Sequence, residues 1–261
     1  MQEISSSKSN IKRFSISKSY PSIKDLANEQ RIRLVRQIFS SVTDRYDFLN
    51  HLLSARRDRA WRRFLIHRLG FFSSYRLLDL GTGTGDVGIG AARHHSQVKV
   101  IGLDFVRPML EAAWKKINQA DLYKRISLIQ GDALNLPFPD GSFDAVTVAF
   151  GIRNMPDRKK VLEEMIRVLV PEGKVYLLEL TTPQSKWFRW LYLPYLNHIL
   201  PRLSRWFTQD PAAYQYLVES ILHFPSPDDL AKEMERVGLK EIKKISLSFG
   251  IAYLHEGRKS E

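Results

Sequence analysis

Residues 78–87 read LDLGTGTGDV, and this stretch constrains the fold more than any other. A short apolar run, YRLLDL (75–80), passes straight into a glycine-rich turn. Gly81, Gly83 and Gly85 let a backbone bend tightly and pass close to a ligand. The chain then repeats an order of strand and helix. VKVIGLDF is a second apolar run ending at Phe105, and a helical segment follows from Pro108, a good first-turn residue, to about Asn118. ISLIQ (126–130) and FDAVTVAF (143–150) read as the third and fourth strands. A helix is expected from about Arg158 to Leu169, and then GKVYLLEL (173–180) as a strand. Strands alternating with helices of about a dozen residues imply right-handed βαβ units and a parallel sheet.

Outside this rhythm, residues 25–70 read as helical. Leu34, Val35, Ile38 and Phe39 fall at helical spacing, and a second helix is expected from Arg57 to Leu69. Residues 181–225 interrupt the alternation with aromatic and basic helical sequence. DDLAKEMERVGL (228–239) is amphipathic, and EIKKISLSFGIAYLHEGR (241–258) reads as a closing hairpin about Phe249-Gly250. The expected organisation is a disordered Ser- and Lys-rich tail at 1–24 and a single α/β domain at 25–261. Within that domain, 25–70 form N-terminal helices and 181–225 a helical cap insertion. The tail lacks the apolar segment of a secretory signal and is too poor in Arg for a transit-type presequence to be the favoured reading. No run of about 18 apolar residues predicts a membrane-spanning helix.

Carboxylates mark the strand ends. Asp79 sits inside the first strand, where a carboxylate is costly unless it binds something or fixes the glycine loop through backbone N–H groups. Asp104 ends the second strand and suits a pair of ribose hydroxyls. Asp132 and Ala133 follow the third strand, where an acidic and a small residue can flank an adenine. In open α/β sheets ligands lie beyond the carboxyl ends of the strands, at the point where strand order reverses, so these residues and Arg153 would share one rim. A dinucleotide fingerprint needs glycine at 86; Asp86 stands there and disfavours a nicotinamide oxidoreductase.

Charge and cysteine usage narrow the chemistry. The 261 residues carry a formal net charge of +12, which favours anionic partners, nucleic acid or anionic lipid. The chain has no cysteine, so disulfides, Cys–zinc sites and a thiolate nucleophile are excluded, and with them the Cys-dependent route to pyrimidine methylation. None of the histidines, at 51, 67, 94, 95, 198, 223 and 255, shows metal-ligand spacing, so no metal is expected.

The glycine turn and strand-end carboxylates resemble those of class I S-adenosylmethionine-dependent methyltransferases. Five segments extend the likeness: YDFLNHLLSARRDRAW (46–61), LDLGTGTGD (78–86), GDALNLPFPDGSFDAVTVAFGIRN (131–154), RVLVPEGKVYLLELT (167–181) and YQYLVESILHFPSPDDL (214–230). Together they resemble the ubiquinone/menaquinone biosynthesis C-methyltransferases, the UbiE/MenG family, over about 31–257. The resemblance implies a Rossmann-like fold: a mostly parallel seven-stranded sheet with helices on both faces. It implies S-adenosylmethionine as co-substrate, contacted by Thr84, Asp104, Asp132 and Ala133; the expected location is cytoplasmic, with a peripheral position on the inner face of the membrane as the alternative. It implies a prenylated hydroquinone as acceptor: demethylmenaquinol is favoured, a polyprenyl methoxy-benzoquinol of the ubiquinone branch is the alternative. The chain departs from the family pattern with Leu49 for Met, Asp58 for His, Ala149 for Ser, Val170 to Gly173 for Lys-Pro-Gly-Gly, and Thr181 for the Ser of Glu-x-Ser. These departures bear on substrate preference more than on activity.

Methylating a ring carbon calls for a phenolate neighbour, and phenols titrate near pH 10. Arg153 is too basic to remove that proton but can pair with the oxyanion and lower the phenol's pKa. Asn154 can orient the hydroxyl or a bridging water. Tyr46, Asp47 and His198 are candidates for the base, and a water held by Tyr46 and Arg153 is the favoured arrangement. Residues 186–207, KWFRWLYLPYLNHILPRLSRWF, combine aromatics with cations and no acid. They suit either an interfacial segment on anionic lipid or a buried cap over the acceptor. A homodimer is compatible with the sequence. The competing readings are a basic RNA methyltransferase, disfavoured because no RNA-binding module is visible, and a non-catalytic S-adenosylmethionine-binding protein.

Overall fold

The structure, a computed structural model, describes residues 28–43, 51, 54, 56–195 and 211–261. The expected tail at 1–24, the candidate bases Tyr46, Asp47 and His198, and residues 196–207 of the 186–207 segment lie outside the described residues.

Among the described residues, seven strands form one sheet in the order β3-β2-β1-β4-β5-β7-β6. The first five, β1 (Arg76–Leu80), β2 (Lys99–Asp104), β3 (Ile126–Gln130), β4 (Phe143–Ala149) and β5 (Leu169–Leu180), run parallel. A terminal hairpin, β6 (Leu239–Leu247) and β7 (Ala252–Lys259), inserts β7 antiparallel to β5. Its turn is Ser248–Gly250, with Phe249 at φ 59°, as the Phe249-Gly250 reading expected. The mostly parallel seven-stranded sheet is the expected architecture.

Adjacent residues of one strand feed opposite layers, because side chains alternate across a pleated sheet. Leu77 joins Trp61, Leu65, Val87, Ala91, Ala113 and Ile117, supplied by helices α2 to α4 on one side of the strands. The N-terminal helices are α1 (Asn28–Val42) and α2 (Arg57–Arg68), followed by α3 (Asp86–His94) and α4 (Arg107–Gln119). Leu78 and Leu80 join Val161, Leu162, Met165, Leu230 and Met234 on the other face. These come from α5 (Arg158–Val168) and, with α6 (Lys186–Pro194) and α7 (Pro211–Leu222) intervening in the chain, from α8 (Pro227–Arg236). With both faces covered, the inner strands are apolar throughout rather than alternating; β4 is buried at six of its seven positions.

Two boundaries differ from expectation for local reasons. β5 begins at Leu169 rather than Gly173, because Glu172 at φ 68° makes an irregularity that the ladder absorbs, shifting from Phe143↔Leu169 to Ala145↔Lys174. α8 ends at Arg236, before Gly238 at φ 104°, and begins at Pro227 under the Ser226 cap, whose hydroxyl accepts the Asp229 N–H. The helix after β4 begins where expected. α5 starts at Arg158, with Asp157 as the cap accepting from Lys160 N–H.

Strand register aligns the carboxyl ends. Leu80 pairs with Leu103 on one side and Val148 on the other, and Asp104 pairs with Gln130. The chain runs outward through β2 and β3 and returns to β4 beside β1, so the order reverses between β1 and β4, directly above the glycine turn.

Candidate active site

Beyond β1 the backbone adopts left-handed values at Gly81 (φ 62°), Gly83 (φ 55°) and Gly85 (φ 83°), a region that L-residues rarely enter. The three glycines serve different ends. Gly81 and Gly83 line a cavity of about 420 Å³; Gly85 does not. A Cβ built on Gly85 would stand 3.3 Å from the Ala113 Cβ, so this glycine lets α4 pack closely against the start of α3. The expected ligand clearance at Gly85 is therefore helix clearance. Gly85→Ala is expected to lower stability by about 1–2 kcal/mol through its forced left-handed conformation, while the folded fraction binds cofactor within about twofold of the parent. Denaturant midpoints and a binding isotherm on the same preparation check this; normal stability with lost binding would reverse the assignment.

Asp79 is the anchor of the loop, and it works through hydroxyls rather than the expected backbone N–H groups. Thr82 Oγ1 donates to Asp79 Oδ2 at 2.7 Å and Thr147 Oγ1 to Oδ1 at 2.8 Å. Burial pushes the Asp79 carboxyl up to about 6, against the opposing pull of the two hydroxyls and of Arg62. A carboxyl raised above its unfolded value favours folding at pH below that value, and the contribution fades as pH rises through the folded pKa. Asp79→Asn does not titrate. It is expected to gain about 2–3 kcal/mol relative to the parent between about pH 4 and pH 7.5. Chemical denaturation at the two pH values checks it; a pH-independent difference would remove the argument.

Asp104 closes the loop from the neighbouring strand. Its Oδ2 accepts the Gly83 N–H and its Oδ1 the Val106 N–H, both at 2.9 Å. Burial raises its pKa, with the backbone N–H groups pulling the other way. Each oxygen keeps acceptor capacity, and Asp104 lines the cavity with Gln130, Gly131, Asp132 and Ala133 from the end of β3. Asp132 is exposed and its Oδ1 accepts the Leu134 N–H. Leu103, Phe105, Val106, Met109 and Leu134 supply apolar walls. Thr84 is placed differently from the other expected contacts. Its hydroxyl accepts from Lys116 Nζ at 2.9 Å, and it lines a niche of about 20 Å³ instead of the main cavity. That niche also meets Arg62, Asp79, Asp86 and Ala149, and it shares Gly81 and Gly83 with the cavity.

The opposite wall is the exit of β4. Phe150 takes φ 59°, and Ile152–Asn154 form a single 3₁₀ turn. Gly151, Asn154, Met155 and Pro156 face the cavity. Arg153, expected to offer its charge to an acceptor, is turned inward. Its Nη1 donates to Glu179 Oε1 at 2.5 Å and to the Phe150 carbonyl at 2.8 Å, and its Nε donates to Ser220 Oγ at 3.3 Å. The Arg153 backbone N–H donates to the other oxygen of Glu179. The guanidinium is thus enclosed by β5, α7 and its own turn, and does not line the cavity. Asn154 does line it; the Tyr216 hydroxyl donates to Asn154 Oδ1 at 3.0 Å, which leaves the amide nitrogen to donate to a ligand.

Several wall residues carry no signal of function in the sequence. Ile32, Val35, Arg36 and Phe39 cover the cavity from α1, and Val35 also packs with Tyr216 of α7. Val35 and Phe39 belong to a legible apolar helical stripe, but a stripe does not say what it covers. Glu179 and Tyr216 lie within segments that resemble the family, and only the fold brings them to residues 153 and 154.

Comparison with known proteins agrees with this geometry. The model of the ubiE/COQ5 methyltransferase family matches residues 24–259. The chain is 40% identical over 226 residues to the ubiquinone/menaquinone biosynthesis C-methyltransferase UbiE of Geotalea uraniireducens, covering 86% of this chain and 96% of that one. It is 43% identical over 225 residues to the demethylmenaquinone methyltransferase of Deinococcus radiodurans, covering 86% and 92%. The Porphyromonas gingivalis protein of the same name is 42% identical over 233 residues, covering 89% and 94%. Among solved structures, a methyltransferase of Thermotoga maritima described as a possible histamine N-methyltransferase superposes with a TM-score of 0.63 at 19% identity, covering 86% of this chain and 99% of that one. A SAM-dependent methyltransferase of Aquifex aeolicus gives 0.58 at 17%, covering 81% and 97%. At such identities these two speak for the fold alone. The glycine turn at the strand reversal, the carboxylate beside it and relatives aligned over nearly their whole length agree: the chain is an S-adenosylmethionine-dependent C-methyltransferase of quinone biosynthesis and belongs to the ubiE/COQ5 methyltransferase family.

Proposed function

We propose that the enzyme methylates a ring carbon of demethylmenaquinol to give menaquinol. One observation carries the reading: a continuous cavity runs from the Asp104–Asp132 rim to the Asn154 turn beneath the apolar cover of α1. The residues present fit S-adenosylmethionine. Asp104 has free acceptor capacity for two ribose hydroxyls, Ala133 leaves room for a flat base, and Gly81 and Gly83 bring backbone to the cavity surface. Arg62 and Asp79 in the adjoining niche suit the carboxylate and ammonium of an amino-acid end. When bound, this group supplies an electrophilic methyl carbon on a cationic sulfur that departs as a neutral thioether.

The chain's own part is to hold the acceptor ring in line and to favour its phenolate. Asn154 is assigned to donate to the acceptor oxygen, a role supported by its amide nitrogen at the cavity wall. Arg153 acts through the turn: it clamps the Phe150 carbonyl to Glu179 and so fixes the direction in which Asn154 points. Phe39, Phe105 and Phe150 offer the ring an apolar wall. The hydroxyl loses its proton before the carbon–carbon bond forms, and the displaced ring proton leaves to water as aromaticity returns. Tyr46 stays a candidate for ordering that water.

The names of the relatives favour the naphthoquinol. Each refers to menaquinone, and only some also to ubiquinone. Transfer of labelled methyl from S-adenosylmethionine to reduced demethylmenaquinone tests the reading against the benzoquinol precursor. Transfer to demethylmenaquinol is expected. Transfer to the benzoquinol alone would overturn the substrate, and transfer to neither would overturn the acceptor class.

A further inference from the structure

Helix α7 grips the turn after β4 at two adjacent residues. Tyr216 and Ser220 stand four apart and share one face of the helix. The Tyr216 hydroxyl donates to Asn154 Oδ1 at 3.0 Å. Ser220 Oγ accepts from Arg153 Nε at 3.3 Å and donates to the Leu217 carbonyl at 2.7 Å. Val218 points the other way, since two residues turn a helix by more than half a revolution, and it packs with Tyr192 of α6. The helix is therefore held from behind as it grips the turn. The Tyr216 ring is seated as well, against Leu34, Val35 and Ile38 of α1.

A carboxamide has a donor at one end and an acceptor at the other, in nearly the same shape. The two ends of Asn154 would act oppositely on a phenolate: the Nδ2 N–H groups stabilise it, and the lone pairs of Oδ1 repel it. Shape alone does not choose between them, because either orientation fills the same space. The proton of Tyr216 does choose. Tyr216 is 5% exposed, and a buried hydroxyl is costly to leave unpaired. With Oδ1 taken by that hydroxyl, Nδ2 is the end left for the cavity, and it donates to no group among the described residues. Tyr216 itself does not line the cavity, so its influence on an acceptor passes through Asn154.

We infer that Tyr216 is a positioning residue for methyl transfer: its hydroxyl selects the orientation of the Asn154 amide that turns Nδ2 toward the acceptor oxygen. The inference rests on the donor role proposed for Asn154 and adds the group that sets its polarity.

Turnover of the parent, Tyr216→Phe, Asn154→Ala and the double variant tests it, measured against pH with the quinol that takes up methyl in the labelled-transfer assay. Phenylalanine keeps the ring against α1 and deletes only the hydroxyl. Tyr216→Phe is expected to lower kcat by about 2–12-fold, the worth of one net hydrogen bond. Its affinity for S-adenosylhomocysteine should stay within about twofold of the parent, because the amide contacts the acceptor side. The rise of turnover with pH should move to higher pH, since the acceptor phenol loses a donor that favours its ionised form. A loss of packing alone would lower stability and leave that rise in place. In the Asn154→Ala background the same substitution should cost nothing further. Parent-like turnover and pH profile in Tyr216→Phe, with Asn154→Ala impaired, would overturn this inference and leave the donor role of Asn154 standing. A full further loss from Tyr216→Phe in the Asn154→Ala background would also overturn it, because the hydroxyl would then act by another route. Parent-like turnover in Asn154→Ala would overturn the donor role and this inference together.

Discussion

Asp104→Ala is expected to raise the dissociation constant for S-adenosylmethionine by roughly 10²–10⁴-fold, since hydrogen bonds to a charged group contribute about 1.5–3 kcal/mol each and two ribose hydroxyls would be lost together. Asp104 stands at the end of β2 with two oxygens aimed at the cavity rim, each already holding one backbone N–H. The replacement also frees the Gly83 and Val106 N–H groups, so the glycine loop loses its link to the neighbouring strand. Asp104→Asn keeps one acceptor oxygen and should fall between the two. Calorimetric titration with S-adenosylhomocysteine gives the affinities, and a thermal melt without ligand shows how much of the loss is structural. Affinity within about threefold of the parent for Asp104→Ala would remove this carboxylate from the cofactor site.

The second large effect concerns the buried pair of Arg153 and Glu179, whose side chains are 3% and 1% exposed. Removing one member leaves an uncompensated charge in the core, a cost of about 3–5 kcal/mol. Arg153→Met and Glu179→Leu should each lower the melting temperature by roughly 6–20 °C for a chain of this size. The double variant, which leaves no lone charge, should recover most of that loss. Methyl transfer separates two roles for Arg153. If it acts through the turn, both single variants lose activity to a similar degree, and the double variant is no worse than either. If the guanidinium itself contacts the acceptor, Glu179→Leu retains transfer while Arg153→Met loses it. Melting curves and turnover on all three variants decide.

Periodicity and punctuation make the α/β order legible along the chain. Apolar runs of strand length, each followed by a turn and an amphipathic stretch, leave a parallel sheet as the consistent solution. Asp104, Asp132 and Ala133 can be placed on the rim because strand ends of a parallel sheet share one edge. Gly81 and Gly83 follow from the same reasoning. Gly85 and Thr84 cannot be sorted from their neighbours in this way, since the turn that contains them is continuous in sequence. Whether a glycine faces a ligand or another helix depends on where α4 comes to lie, and Ala113 is 28 residues away in the chain.

Arg153 shows the limit most clearly. In sequence it is a cation at the mouth of a buried strand, next to an amide, and solvent or substrate are the natural partners for both. The structure brings Glu179 from β5 and Ser220 from α7 to the same turn, 26 and 67 residues away. The sequence determined, by itself, the order of strands and helices, the location of the glycine turn and the family, because these rest on local residue patterns read along the chain. Only the tertiary structure decided which polar groups face the cavity and which face each other. A buried charge takes the direction of its nearest counter-charge, and that neighbour is supplied by elements remote in the chain.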